Sequence, residues 1–370
     1  MKSTCVRSPI ALGGITRRMH ALTEMLQATL DRYVKNATLP GANVTLFIDG
    51  DQVWSGTSGW LDLGTKTPLP PASTFPVYSL TKTITAACVL RMVDVGLLEL
   101  EAPLRQWMPE SHFADRVTLH QLLAHTSGIR DYGTLAEYHE GVQTSPDAPW
   151  TYEEIVARTC ERPLDFEPGE GWAYSNSGYT VVKRIVERTA KASFGDALQQ
   201  HVLSPLELQQ TFTLNNTSGM DRVAPGYSAL FSPDESIKDV RSVYHPGWCG
   251  TGVVASTGSD LCRFFEALVG GRLLSQNSLD RMLTLQRVPG VHPPAVSPSY
   301  GLGIMGDPDS PRGLCYGHGG GGPGWNLAAS TIPDLRGHRV SIAVLCNHDE
   351  PDADVIQDQL LAITSGVLSN

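Results

Sequence analysis

No segment of this sequence approaches the roughly 20 consecutive apolar residues a helix needs to cross a bilayer, although hydrophobic residues make up 41% of the 370. Charge is also sparse: Asp, Glu, Lys and Arg together account for 18%, the net charge is −10, and basic residues are not clustered as phosphate neutralisation requires. Nucleic acid and membrane are therefore not expected partners, and the ordinary apolar content excludes a disordered chain. Cysteines number seven, at positions 5, 88, 160, 249, 262, 315 and 346, and no Cys-x-x-Cys pair brings two together. That scatter argues against a disulfide framework or a thiolate zinc cluster and fits small buried side chains in a reducing compartment.

The N-terminal stretch MKSTCVRSPIALGGITRRMH has basic residues but only a short apolar patch broken by glycine. It is too weak for the apolar region of a signal peptide, so residues 1–19 read as a flexible tail and the chain as cytoplasmic. Two further motifs are missing: a Gly-x-Ser-x-Gly elbow, which disfavours an α/β-hydrolase, and a Gly-Lys-Ser/Thr phosphate loop.

Against these absences stands a clear pattern of elements. Residues 20–37, HALTEMLQATLDRYVKNA, place Leu22, Met25, Leu26, Leu30 and Val34 at helical spacing. NVTLFIDGDQVWSGTSGW then reads as a hairpin about Asp49-Gly50. From Ser79 the chain turns helical: SLTKTITAACVLRMVDVG is apolar almost all round from Ile84 to Val95 and stops at Gly96, and helical segments broken by Pro and Gly continue to about residue 290. Strand-like runs return in YGLGIMG, LCYGHGG, WNLAASTIP and RVSIAVLCN, before a last helix in DADVIQDQLLAITSGVL. The expectation is an α/β plus all-α protein. An antiparallel sheet is built from both chain ends with flanking terminal helices (residues 20–80 and 290–370), a mainly helical domain is inserted at 81–289, and the site lies at their interface.

Three groups of residues could carry chemistry. Ser79 and Lys82 in SLTK are three apart, so on a helix they share a face and the lysine can approach the hydroxyl. A lysine acts as base there only if burial or neighbouring positive charge lowers its pKa. A serine at a helix start is also an ordinary cap, and Ser-x-x-Lys is a short pattern. Tyr174 and Asn176 stand in FEPGEGWAYSNSGY, where a tyrosine on a turn can shuttle a proton and an asparagine can hold a substrate carbonyl; the structural alternative is packing and capping. GHGGGGPGW at 317–325 lacks the lysine of a phosphate loop and has no second ligand at metal spacing. A strand edge remains, whose glycines let backbone N–H groups approach a substrate while His318 points a donor into the cleft.

In chain order these residues resemble the serine β-lactamase and DD-peptidase superfamily, in particular its class C β-lactamase, DD-carboxypeptidase, D-aminopeptidase and esterase branch. The resemblance rests on YSLTK, LLAHTSGI (122–129), FEPGEGWAYSNSGY, GTGVVASTGSDLCRF and the His-Gly-Gly triplet, and covers roughly residues 20–365. It implies Ser79 as the acylated nucleophile, Lys82 as its base or proton acceptor, and Tyr174 in proton transfer to the leaving group. It also implies Asn176 against the acyl side, the 318–320 triplet where many members carry Lys-Thr-Gly, and a second oxyanion N–H from Gly321 beside that of Ser79. Gly319 and Gly320 would permit close approach. His125, in LLAHTSGI, reads as structural, ending a helix and shaping a loop beneath the cleft.

The implied function is a serine hydrolase of small ester, amide or peptide substrates, of carboxylesterase or D-amino-acid peptidase type, with no cofactor. The alternatives are an acyltransferase using the same acyl-enzyme or a weak β-lactamase. Histidine in place of the triplet's lysine lowers the expectation for a β-lactamase, since it is only partly charged near neutral pH.

Overall fold

The computed structural model describes residues 9–290, 293–350 and 353–369, with side chains from residue 17 onward. Helix α1 runs from Pro9 to Asn36, so residues 9–19, expected as tail, are helical; residues 1–8 lie outside the described residues. Leu22, Leu26 and Leu30 are fully buried and Val34 nearly so, whereas Met25 is 48% exposed, leaving an i, i+4 stripe narrower than the sequence indicates. Each fully buried leucine contributes about 2 kcal/mol of transfer free energy.

Nine strands, numbered in chain order, form the main sheet: β1 Gly41–Ile48, β2 Asp51–Asp62, β3 Thr67–Pro68, β4 Gln286–Arg287, β5 Ser299–Tyr300, β6 Met305–Asp307, β7 Cys315–Gly322, β8 Trp325–Leu335 and β9 His338–Cys346. Their order is β3-β2-β1-β9-β8-β7-β6-β5-β4. The N-terminal hairpin therefore joins the C-terminal strands through an antiparallel β1–β9 pairing, Ala42 opposite Cys346 through Ile48 opposite Val340. Asp49 (φ 53°) and Gly50 (φ 89°) make the β1–β2 turn left-handed at both central positions, the geometry that matches strand twist.

One face of the sheet is covered by α1 and the C-terminal helix Ala353–Leu368, which share a core with Val44, Leu46, Ile342 and Val344. The opposite face meets the rest of the chain. Helix α2, Thr81–Asp94, is buried from Thr81 through Leu90 and ends before Gly96, whose φ of 74° makes the left-handed stop. Helix α3 spans Asn176–Ala190. Helix α4, Gly258–Val269, falls within the stretch expected as helical insert, yet it packs on β1, β8 and β9. The buried Glu266 of α4 accepts from Ser341 Oγ of β9 at 2.8 Å. The last helix, Ala353–Leu368, is α5.

The six described cysteines are free, and four of them are buried. Among the described residues no helix is long and apolar enough to cross a membrane.

Candidate active site

Ser79 sits on a single 3-10 turn, Tyr78–Leu80, that runs into α2. Tyr78 before it has φ 38°, a conformation L side chains adopt reluctantly. Its neighbours enforce it: the Tyr78 hydroxyl donates to the Pro323 carbonyl at 2.9 Å, and a Cβ on Gly322 would lie 2.3 Å from the Tyr78 ring. The far side of the turn is tied to the strand Val253–Ser256, where Val254 N–H donates to Thr81 Oγ1 at 3.0 Å.

One helical turn on, Lys82 is 1% exposed and its Nζ donates to Ser79 Oγ at 3.1 Å. The same Nζ lies over the Tyr174 ring, 4.8 Å from its centroid, and 5.8 Å from that of Tyr179. Lys82 is thus buried beside Ser79 with two aromatic faces against its side-chain nitrogen. Tyr174 closes the group: its hydroxyl is buried and has no hydrogen-bond partner among the described residues. An unpaired buried hydroxyl is costly, and this one lies in the cleft that Ser79 also lines.

Asn176 is the first residue of α3, but the cap is Ser175, whose hydroxyl accepts from Gly178 N–H at 3.0 Å. Asn176 is held instead by Asp131, which the sequence reading did not single out. Asp131 Oδ1 accepts the Asn176 backbone N–H at 2.9 Å, and Oδ2 accepts the side-chain amide at 3.1 Å. Burial pushes the Asp131 carboxyl upward, against the hydrogen bonds and the Lys82 charge. Only its place six residues after His125 in LLAHTSGIRDYG offered a signal.

The glycine run forms the end of β7, and its two faces serve different neighbours. A Cβ on Gly320 would lie 2.5 Å from Val77 O and 3.1 Å from Ser79 N, so only glycine lets this strand reach the Ser79 backbone. Gly319 faces the other way, where a Cβ would meet Asp354 Oδ2 of α5 at 3.3 Å. Its close approach is therefore to the terminal helix rather than to the Ser79 turn. Gly321, opposite Asn326 in β8, lies along the cleft.

His318 is 3% exposed, and both ring nitrogens have internal partners: Nδ1 meets the Gly319 carbonyl at 2.6 Å, and Nε2 meets the Tyr300 hydroxyl at 3.2 Å. The expectation that it points a donor into the cleft is corrected by these contacts. Burial, reinforced by the Lys82 charge, lowers its pKa to about 3, so the ring is neutral and supplies no fixed charge. His125 is likewise driven well below the usual imidazole range by burial first, then by Lys82 and His318. It sits beneath the site at φ 60°, accepting Ser175 N–H on Nδ1 at 3.0 Å and meeting Tyr300 through Nε2 at 3.2 Å.

A cleft of about 800 Å³ opens over Ser79, Tyr174 and His318 and continues past Gly321 toward Asp354 and Gln357 of α5. It joins the Ser79 hydroxyl, the Tyr174 phenol and the glycine edge in one space, with Lys82 buried behind Ser79.

Known proteins repeat this architecture. The sequence profile of the Beta-lactamase family matches residues 26–364. The chain is 28% identical over 312 residues to penicillin-binding protein 4* of Bacillus subtilis, covering 81% of this chain and 66% of that one. It is 32% identical over 200 residues to esterase EstB of Burkholderia gladioli, covering 51% of each. The chain therefore spans between half and two thirds of the length of these relatives. Among solved structures, a D-stereospecific amidohydrolase from Streptomyces sp. superposes with a TM-score of 0.76 at 29% identity, covering 90% of this chain and 97% of that one. With the family profile running from α1 to the last turns of α5, the chain belongs to the Beta-lactamase family.

Proposed function

We propose that this protein is a serine hydrolase that cleaves an ester or amide bond of a small substrate through an acyl-enzyme on Ser79. The observation that carries the reading is the Ser79–Lys82 contact of 3.1 Å beneath an unpartnered Tyr174 hydroxyl. Ser79 Oγ attacks the substrate carbonyl and passes its proton to Lys82 or Tyr174. The oxyanion is met by the Ser79 and Gly321 N–H groups, the carbonyl–heteroatom bond breaks, and Tyr174 returns a proton to the leaving alcohol or amine. Water then attacks the ester on Ser79 and releases the acid. Asn176, anchored by Asp131, faces the acyl side.

The relatives' names, an esterase and a D-stereospecific amidohydrolase, support esters and D-amino-acid amides as the substrate class. A neutral His318 supports it too, because a carboxylate on the substrate would find no fixed positive charge at that position.

Intact-mass measurement after exposure to a fluorophosphonate, a penicillin and a panel of esters and D-aminoacyl amides tests the reading. One covalent adduct, absent in Ser79→Ala, is expected, with turnover of the ester or amide panel. An adduct or equal turnover in Ser79→Ala would overturn it.

A further inference from the structure

Beneath the nucleophile, three buried rings join one wall of the cleft to the other. Ser175 N–H meets His125 Nδ1 at 3.0 Å, His125 Nε2 meets the Tyr300 hydroxyl at 3.2 Å, that hydroxyl meets His318 Nε2 at 3.2 Å, and His318 Nδ1 meets the Gly319 carbonyl at 2.6 Å. His125 and Tyr300 are 1% exposed and His318 is 3% exposed.

The polarity of this chain follows from its ends. A backbone N–H only donates, so His125 Nδ1 is bare, its Nε2 carries the proton, and Tyr300 accepts from it. A carbonyl only accepts, so His318 Nδ1 carries the proton, its Nε2 is bare, and Tyr300 donates to it. At Tyr300 one bond is accepted from His125 and one donated to His318, while the neighbouring Tyr179 hydroxyl, itself donating to the Leu123 carbonyl at 2.9 Å, is a second acceptor within reach of the same proton. Both imidazoles must be neutral for this to hold. A lysine at 318 would offer only donors and would remove the ring nitrogen that accepts from Tyr300 and so joins it to β7.

The ends are also informative by position. Ser175 stands between Tyr174 and Asn176, and Gly319 is followed by Gly320, which abuts the Ser79 backbone. We propose that Tyr300, together with His125, is a positioning residue of the acyl-transfer site. Through His318 it holds the Tyr174–Asn176 segment and the glycine edge of β7 at one separation and orientation across Ser79. The inference rests on the hydrolase reading above, and it concerns residues outside the nucleophile, base and proton donor. Its effect falls on the rate of the chemical step, because a displacement of about 1 Å between reacting groups costs on the order of 10²-fold in rate.

Two variants cut the chain at different bonds. Tyr300→Phe keeps the ring and removes both central hydrogen bonds. His125→Asn suits the left-handed backbone there and keeps an acceptor for Ser175 N–H, but is too short to reach Tyr300. With folded enzyme counted by fluorophosphonate titration, each is expected to lower kcat about 10- to 100-fold with KM changed less than about threefold. The double variant is expected to be no slower than the slower single, since both cut one connected chain. Wild-type kcat in either single, losses that multiply in the double, or a loss confined to KM would overturn the proposal. If Tyr300→Phe does not fold, kcat of His125→Asn decides alone, reduced in support or wild-type against. Ser79→Ala, assayed in parallel, separates the two levels: turnover surviving there removes the acyl-enzyme reading itself, whereas a dead Ser79→Ala beside a fully active Tyr300→Phe removes only the positioning role.

Discussion

Asp131 and Asn176 are locked face to face, one carboxylate taking the asparagine's backbone N–H at 2.9 Å and its side-chain amide at 3.1 Å. Because a carboxylate only accepts, the amide nitrogen must turn toward Asp131, which fixes the orientation of the Asn176 amide. Asp131→Ala leaves both donors without their anchor. It is expected to lower unfolding free energy by about 2 kcal/mol and to raise KM more than it lowers kcat. Urea unfolding and steady-state kinetics on a D-aminoacyl amide check both.

Tyr174 offers the opposite balance. Its buried hydroxyl makes no hydrogen bond, so removing it sacrifices no internal partner. Tyr174→Phe is expected to leave stability within about 0.5 kcal/mol of the parent, or to raise it, while kcat falls by roughly 10²- to 10⁴-fold. Equal activity in a well-folded Tyr174→Phe would argue against its role in proton transfer.

The depressed pKa of His318 gives a signed prediction for pH. With a folded value of about 3 against 6.5 for the free group, the unfolded chain binds a proton in that window which the folded chain does not. The contribution is therefore fully present above pH 6.5 and is lost as pH falls toward about 3, and His125 acts in the same direction. The expected slope approaches ~1.4 kcal/mol per pH unit for each imidazole. Urea midpoints followed downward from neutral pH should fall less steeply in His318→Gln than in the parent. The same neutrality predicts no tightening of KM for carboxylate-bearing substrates on moving from pH 7 to about pH 5.5.

Gly320 and Gly321 are adjacent but not equivalent. A methyl on Gly320 would meet Val77 O at 2.5 Å, backbone that cannot swing aside, whereas on Gly321 the nearest atom is the Asn326 amide nitrogen at 3.3 Å, a side-chain end that can move. Gly320→Ala is expected to slow fluorophosphonate acylation more than 100-fold by pushing β7 off the Ser79 turn, and Gly321→Ala about tenfold or less. Acylation rates of the two variants, measured side by side, test the order.

Much of this molecule is legible in its residues. The Asp49-Gly50 turn, the strand runs at both ends and the apolar helix from Ile84 to Val95 appear as expected, because turn chemistry and periodicity are local properties. Lys82 lies beside Ser79 for the same reason: a spacing of three on a helix fixes proximity without further context. The amphipathic pattern of α4 states that one face is buried, not against which layer, so its packing on β1, β8 and β9 is not legible locally.

The partners of the site are a different matter. His125 and Tyr300 are 175 residues apart in sequence and Asp131 and Asn176 are 45 apart, and no local rule reports which distant side chains will meet. The glycine run shows the division most clearly. Its composition permitted a close backbone approach, since only glycine removes the Cβ that would block one. Which glycine faced the nucleophile and which faced α5 depended on the strand's register in the sheet, and that register is set by packing across the whole chain.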